Sequence, residues 1–190
     1  NQRLGITAGA FAGAAQSFLH PELIVIGFVT AATGSAWLVA LVPIINKLCG
    51  LAPQVFAGTL LEHLPRRRPF FVAVTVVRTL AHAALVGAFA LLWAAPGVLS
   101  AAACFATYAV CCLTSSAAHV TFMDMTGRLI PPNRIGTFFS ARAFLGGVLG
   151  ILGGFLVIQP LLGGVALPAN YMLVAGIGVA LIAIDMSTWS

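Results

Sequence analysis

Four ionisable side chains interrupt otherwise apolar runs in this sequence: Glu22, Lys47, Arg78 and His82. Glu22 and Lys47 stand about eleven to twelve residues on either side of the small polar turn at Thr33–Ser35. At 1.5 Å per helical residue, both fall about 15–18 Å below the same end of two neighbouring antiparallel rods. Opposite charges at matched depth lower the cost of burying each other. The pair is therefore expected to be a substrate or proton site, in which protonation of Glu22 frees Lys47 for an anion, or else a structural ion pair. Pro21 frees backbone groups beside Glu22, which suits an aqueous cavity; a full break there instead leaves Glu22 near the outer surface. Arg78 and His82 are four apart and so share one helical face. Arg78 lies about 13 Å in from the charged end of its run. A guanidinium there can grip a carboxylate or phosphate in a fork, pair with Glu22 or a carbonyl, or snorkel towards water. His82 and His20 can relay protons or simply pack, and His119 near the end of its run has a weaker case.

Other chemistries lack their residues. Cys49, Cys104, Cys111 and Cys112 lie in apolar runs without CxxC or Cys/His spacing, so they read as small packing residues, with no metal site expected. No GxxxxGKS loop is present for ATP, and no HExxH. The expectation is a protein without a cofactor that is not an enzyme.

The elements that carry these groups follow from composition. The chain has 61% hydrophobic and 7% charged residues, against about 25% charged in soluble domains, which excludes an ordinary water-soluble fold. The net charge of +5 does not point to nucleic acid, because the basic residues sit between apolar runs rather than over one polar face. A helix needs about 20 apolar residues to cross a bilayer. Six segments qualify, at about 4–32, 36–61, 69–95, 97–123, 135–158 and 168–184. An all-α membrane protein of six transmembrane helices is expected.

Orientation comes from Gly58–Arg68, whose three consecutive arginines cannot sit in hydrocarbon. Arg3, Arg66, Arg67, Arg68, Arg128 and Arg134 all fall on that side, while the turns near Thr33, Pro96 and Gly163 carry no Lys or Arg. The positive-inside bias places both termini in the cytoplasm and the protein in the plasma (inner) membrane.

Two connectors carry a family resemblance. Gly58, Glu62, His63, Pro65, Arg66 and Arg67 stand where the major facilitator superfamily has G-x-x-x-D-[RK]-x-G-R-[RK] between its second and third spans; Gly58, Arg66 and Arg67 match, and Glu62 replaces Asp. The segment D-M-T-G-R-L-I-P-P-N-R-I-G, followed by F-F-S-A-R, resembles the D…P…R-G…R pattern after the fourth span. The chain is thus similar to the N-terminal half of such a transporter. The drug/proton antiporter subgroup is not supported, since its fourth-span arginine and fifth-span Gly-Pro pair are missing.

That resemblance implies two inverted three-helix repeats and a second six-helix half that completes a central solute path. The sequence is expected to be a fragment lacking that half, the alternative being a half-transporter that dimerises. The implied function is secondary active transport of a small solute by alternating access, with a proton as one candidate coupling ion. The alternative is a non-transporting membrane scaffold or a membrane enzyme subunit. Gly58, Glu62, Arg66, Arg67, Asp124, Arg128, Arg134 and Arg142 are expected to form an inner-face gate, or merely to set topology. Glu62 ends a helix, where the dipole calls for a cation nearby. Gly146, Gly150 and Gly154, with Gly147 and Gly153 beside them, make a small-residue stripe for close helix packing.

Overall fold

The computed structural model describes residues 2–20, 24–63 and 67–187. Among them there are helices and connecting turns but no strand. Helix α1 (Gln2–Phe18) stops just before Pro21, a residue that has no N–H to donate and disfavours helical geometry in the residue before it. The chain resumes with a π turn at Ile24 and Val25 and continues as α2 (Ile26–Thr33). Gly34 closes α2 at φ 62°, with its N–H 2.9 Å from Thr30 O. This left-handed cap is why glycine stands at the turn.

Four long elements follow: α3 (Ala36–His63), α4 (Arg67–Ala94), α5 (Val98–Leu129) and α6 (Pro132–Gly153). From α6 the chain runs through a π turn (Gly154–Ile158) into α7 (Gln159–Gly164) without a break. Pro160 can donate no hydrogen bond, and the turn before it widens so that Gln159 N–H reaches Gly154 O. The last helix is α8 (Ala169–Ser187).

Four stretches are long and apolar enough to cross a membrane: Ala36–Phe56, Arg68–Ala94, Val98–Leu129 and Pro132–Gly164. The apolar part of α8, Ala169–Asp185, is shorter, and the first expected span is split into α1 and α2. The helices also overrun the expected boundaries. α5 continues through Asp124–Leu129, because a helix ends at a breaker, here Pro131–Pro132, rather than where hydrophobicity fades.

The outer surface is apolar. Trp37, Leu48, Phe56, Val98, Leu99, Phe144, Phe155 and Leu156 are all more than half exposed, a surface compatible with a multi-pass membrane protein and costly in water. Threonine hydroxyls along the rods bond back to their own helices, as Thr75 to Phe71 O and Thr121 to Ala117 O, both at 2.8 Å.

Two apolar clusters hold the bundle. The larger gathers Phe18, Ile24, Phe28, Val42, Leu85, Phe89, Tyr108 and Val174. Phe28 stacks on Phe89 with centroids 4.2 Å apart and meets Tyr171 edge-on at 5.8 Å. The smaller joins Phe71, Phe122, Ile130 and Phe138. α1 packs chiefly on α6 and α8, α5 on α3 and α4, and α4 also on α8. The α1–α6 contact is a glycine seam: a Cβ on Gly13 would stand 2.7 Å from Gly146 Cα, and one on Gly146 would stand 3.1 Å from Gly13 Cα. Gly150 faces Ser17 and Gly153 faces the Phe18 ring. Gly154 has open space where its Cβ would be and begins the π turn, so the seam's third member is Gly153. The 3.6-residue repeat turns position 154 away from α1.

Candidate functional site

Between the two clusters lies a cavity of about 430 Å³ lined by six of the helices together with His20, Ile24 and Val25. Periodicity brings each wall to it. α1 turns Ala12 and Gln16 towards the cavity, with His20 just beyond its end, while Gly13 and Ser17, one position on, and Gly9 face α6. α3 contributes Asn46, Gly50 and Gln54, each four residues from the next. Pro53 lacks the N–H that would close on the Cys49 carbonyl, and one residue further Gly50 O accepts a 2.5 Å hydrogen bond from Ser116 Oγ on α5. α5 presents Tyr108, Cys111, Ser115, His119 and Phe122, a stripe of three- and four-residue steps.

The charged groups come from α4, α6 and α8. Arg78 on α4 and Asp185 on α8 form an ion pair, Nη2 to Oδ2 at 3.5 Å, with side chains 17% and 8% exposed. Among the described residues, the buried Arg78 Nε has no hydrogen-bond partner. His82 Nδ1 lies 2.8 Å from Arg78 O. A carbonyl can only accept, so Nδ1 carries the hydrogen and Nε2 is left to the cavity. Arg142 on α6 places its Cζ 4.2 Å from the Phe122 ring centroid, and its Nη1 donates to Gly5 O at 3.3 Å. Gly9 makes this possible, because any Cβ there would collide with the aliphatic stem of Arg142.

The residues singled out from sequence therefore separate into groups. Arg78 and His82 line the cavity, as do His20 and His119. Lys47 is exposed on α3 and is not part of the wall, although its neighbour Asn46 is. Glu22 lies outside the described residues, and with it the expected Glu22–Lys47 pair; Arg66 lies outside them too. On the basic side, Gly58 and Glu62 belong to the last turns of α3 and Arg67 opens α4. Asp124 Oδ1 accepts from Arg128 Nε at 3.2 Å along α5, and Arg134 is exposed in the first turn of α6. Arg142, expected with this rim, turns inward to the cavity.

Asp185 is the residue that sequence reasoning missed; it stands just past the last expected span, 168–184. Its signal was available in spacing: Ala175, Ile182 and Asp185 fall on one face of α8. It reaches Arg78 because α4 has 28 residues and α8 only 19, so the end of the short helix meets the middle of the long one.

Among the described residues, no three His, Cys, Asp or Glu side chains are grouped so as to hold a metal ion. No protein family, curated protein or solved structure shows significant similarity to the chain.

Proposed function

We propose that this chain is the N-terminal six-span half of a secondary transporter of the major facilitator type, which moves a small solute by alternating access. The observation that carries this reading is a cavity with an interhelical ion pair in its wall, between helices whose outer faces are apolar. Ionisable groups at such depth are costly, and they persist where they line a path or bind something.

Helix pairing supports the same reading. Take α1 with α2 as the first rod, α3, α4 and α5 as the second to fourth, α6 with α7 as the fifth, and α8 as the sixth. Exchanging the first three rods with the last three turns the α1–α6 contact into α5–α3 and the α1–α8 contact into α5–α4, and returns α4–α8 to itself. This is the pattern expected of two inverted three-helix repeats. In this arrangement the broken first rod and the short sixth are spans, completed by a second six-helix half. The basic rim, with Asp124–Arg128 at its edge, faces the cytoplasm together with both termini and forms the inner gate.

The test is solute uptake by cells producing the full-length protein, run over a panel of small anions, cations and neutral solutes. At least one solute should accumulate, and Asp185→Asn should abolish that uptake at unchanged protein level in the membrane. Accumulation that is the same with and without the protein for every solute refutes transport.

A further inference from the structure

We infer that the cavity takes a small organic monocarboxylate, its carboxylate between Arg78 and Arg142 and its hydrocarbon body against the apolar wall. This deepens the transport proposal and rests on it for the route, though not for the binding.

Charge is the first argument. Among the described lining residues, two guanidinium groups face one carboxylate, Asp185. The contacts of Arg142 with Gly5 O and the Phe122 ring orient it without neutralising it. Among the described residues the wall therefore carries one guanidinium more than it has carboxylates, in surroundings that solvate it poorly, and a single anionic charge relieves that. A dianion would overcompensate.

Hydrogen bonding is the second. A guanidinium has five N–H donors in a planar fork suited to a carboxylate. Arg78 meets Asp185 through Nη2 at 3.5 Å, and its buried Nε has no partner among the described residues. A second carboxylate satisfies donors that the first does not reach.

Size and apolar surface are the third. About 430 Å³ is near the lower end of small-molecule sites. Ile24, Leu85 and Phe89 line the same space as the arginines. Chloride offers these residues nothing, whereas a benzoate-sized acid offers both a charge and an apolar body.

The probe is sodium benzoate, titrated calorimetrically into the purified full-length protein in nanodiscs. Benzamide serves as the neutral analogue, with chloride and inorganic phosphate as competing anions. Benzoate should bind saturably and at least tenfold more tightly than benzamide, and neither inorganic anion should displace it at equal concentration. Arg142→Gln should weaken benzoate at least tenfold and leave benzamide unchanged; Arg142→Lys, which keeps the charge without the fork, should fall between. Equal affinity for benzoate and benzamide overturns the inference, and so does tighter binding of phosphate or an Arg142→Gln variant that binds benzoate as the wild type does. Uptake in proteoliposomes separates the two proposals. Benzoate binding without transport of any solute removes the transporter and leaves the site, whereas transport that benzoate never inhibits removes the carboxylate and leaves the transporter.

Discussion

Asp124 and Arg128 sit one turn apart on α5 at 3.2 Å, with 64% of the arginine side chain exposed, whereas Arg78 and Asp185 join α4 to α8 at 3.5 Å with 17% and 8% exposed. The chemistry is the same in both, and the shorter contact belongs to the weaker pair. A pair along one helix with an exposed partner contributes about 0.2–1 kcal/mol, because water competes for the arginine. Breaking a buried pair costs about 3–5 kcal/mol, because the partner left behind keeps its charge and loses its counter-charge. Distance alone says little; what surrounds the pair, and which helices it joins, decides its weight.

The strongest challenge to that contrast is Asp185→Ala, which strands Arg78 in the bundle. We expect a loss of about 3–5 kcal/mol, read as the unfolding midpoint of the purified protein in mild detergent. A loss no larger than that of a rim substitution would erase the distinction. Replacing both partners with apolar residues, as Arg78→Met with Asp185→Leu, sharpens it. Stability should return to within about 1–2 kcal/mol of the wild type, since no charge is left stranded, while solute uptake stays abolished. Recovery of both together would mean that the pair is structural only.

A smaller effect asks whether joining two helices matters without charge. At the α1–α6 seam, Gly146→Leu places carbon against Gly13 Cα, backbone that cannot swing aside. Overpacking of this kind costs about 1–3 kcal/mol. Gly147→Ala is the control: its Cβ would meet nothing within 4 Å, and alanine is the better helix former by about 1 kcal/mol. Equal destabilisation by the two would show that the seam is not the tight contact between these helices.

What the sequence disclosed follows the same divide. Apolar run lengths located the long helices, because exclusion from water depends on composition alone, and Arg78 with His82 stood out as charge and imidazole on one face of such a run. Asp185 did not stand out. Its meaning depends on α8 being shorter than α4, a relation between distant segments that no local pattern carries. Arg142 was expected in the inner-face set, yet Gly9 on another helix, by lacking a side chain, leaves room for its stem to turn inward. The four-residue glycine stripe was visible, but the helical repeat carries the contact to Gly153 and leaves Gly154 to begin a π turn.

The smallest expected effect is the most discriminating for the inner gate. Asp124→Ala removes the carboxylate from a pair whose arginine is mostly in water, so stability should change by no more than about 1 kcal/mol, judged by the same detergent unfolding. If the rim is a gate, the change should appear in conformation instead. Accessibility of a cysteine placed at Gly50, on the cavity wall, to a membrane-impermeant thiol reagent added from the cytoplasmic side should rise, because one closing contact on that side is gone. The native cysteines would first be replaced by alanine, keeping the readout to position 50. Unchanged labelling with unchanged stability would reduce Asp124 and Arg128 to ordinary solvated charges, leaving the inner side to be closed by the apolar contacts of Phe71, Phe122, Ile130 and Phe138.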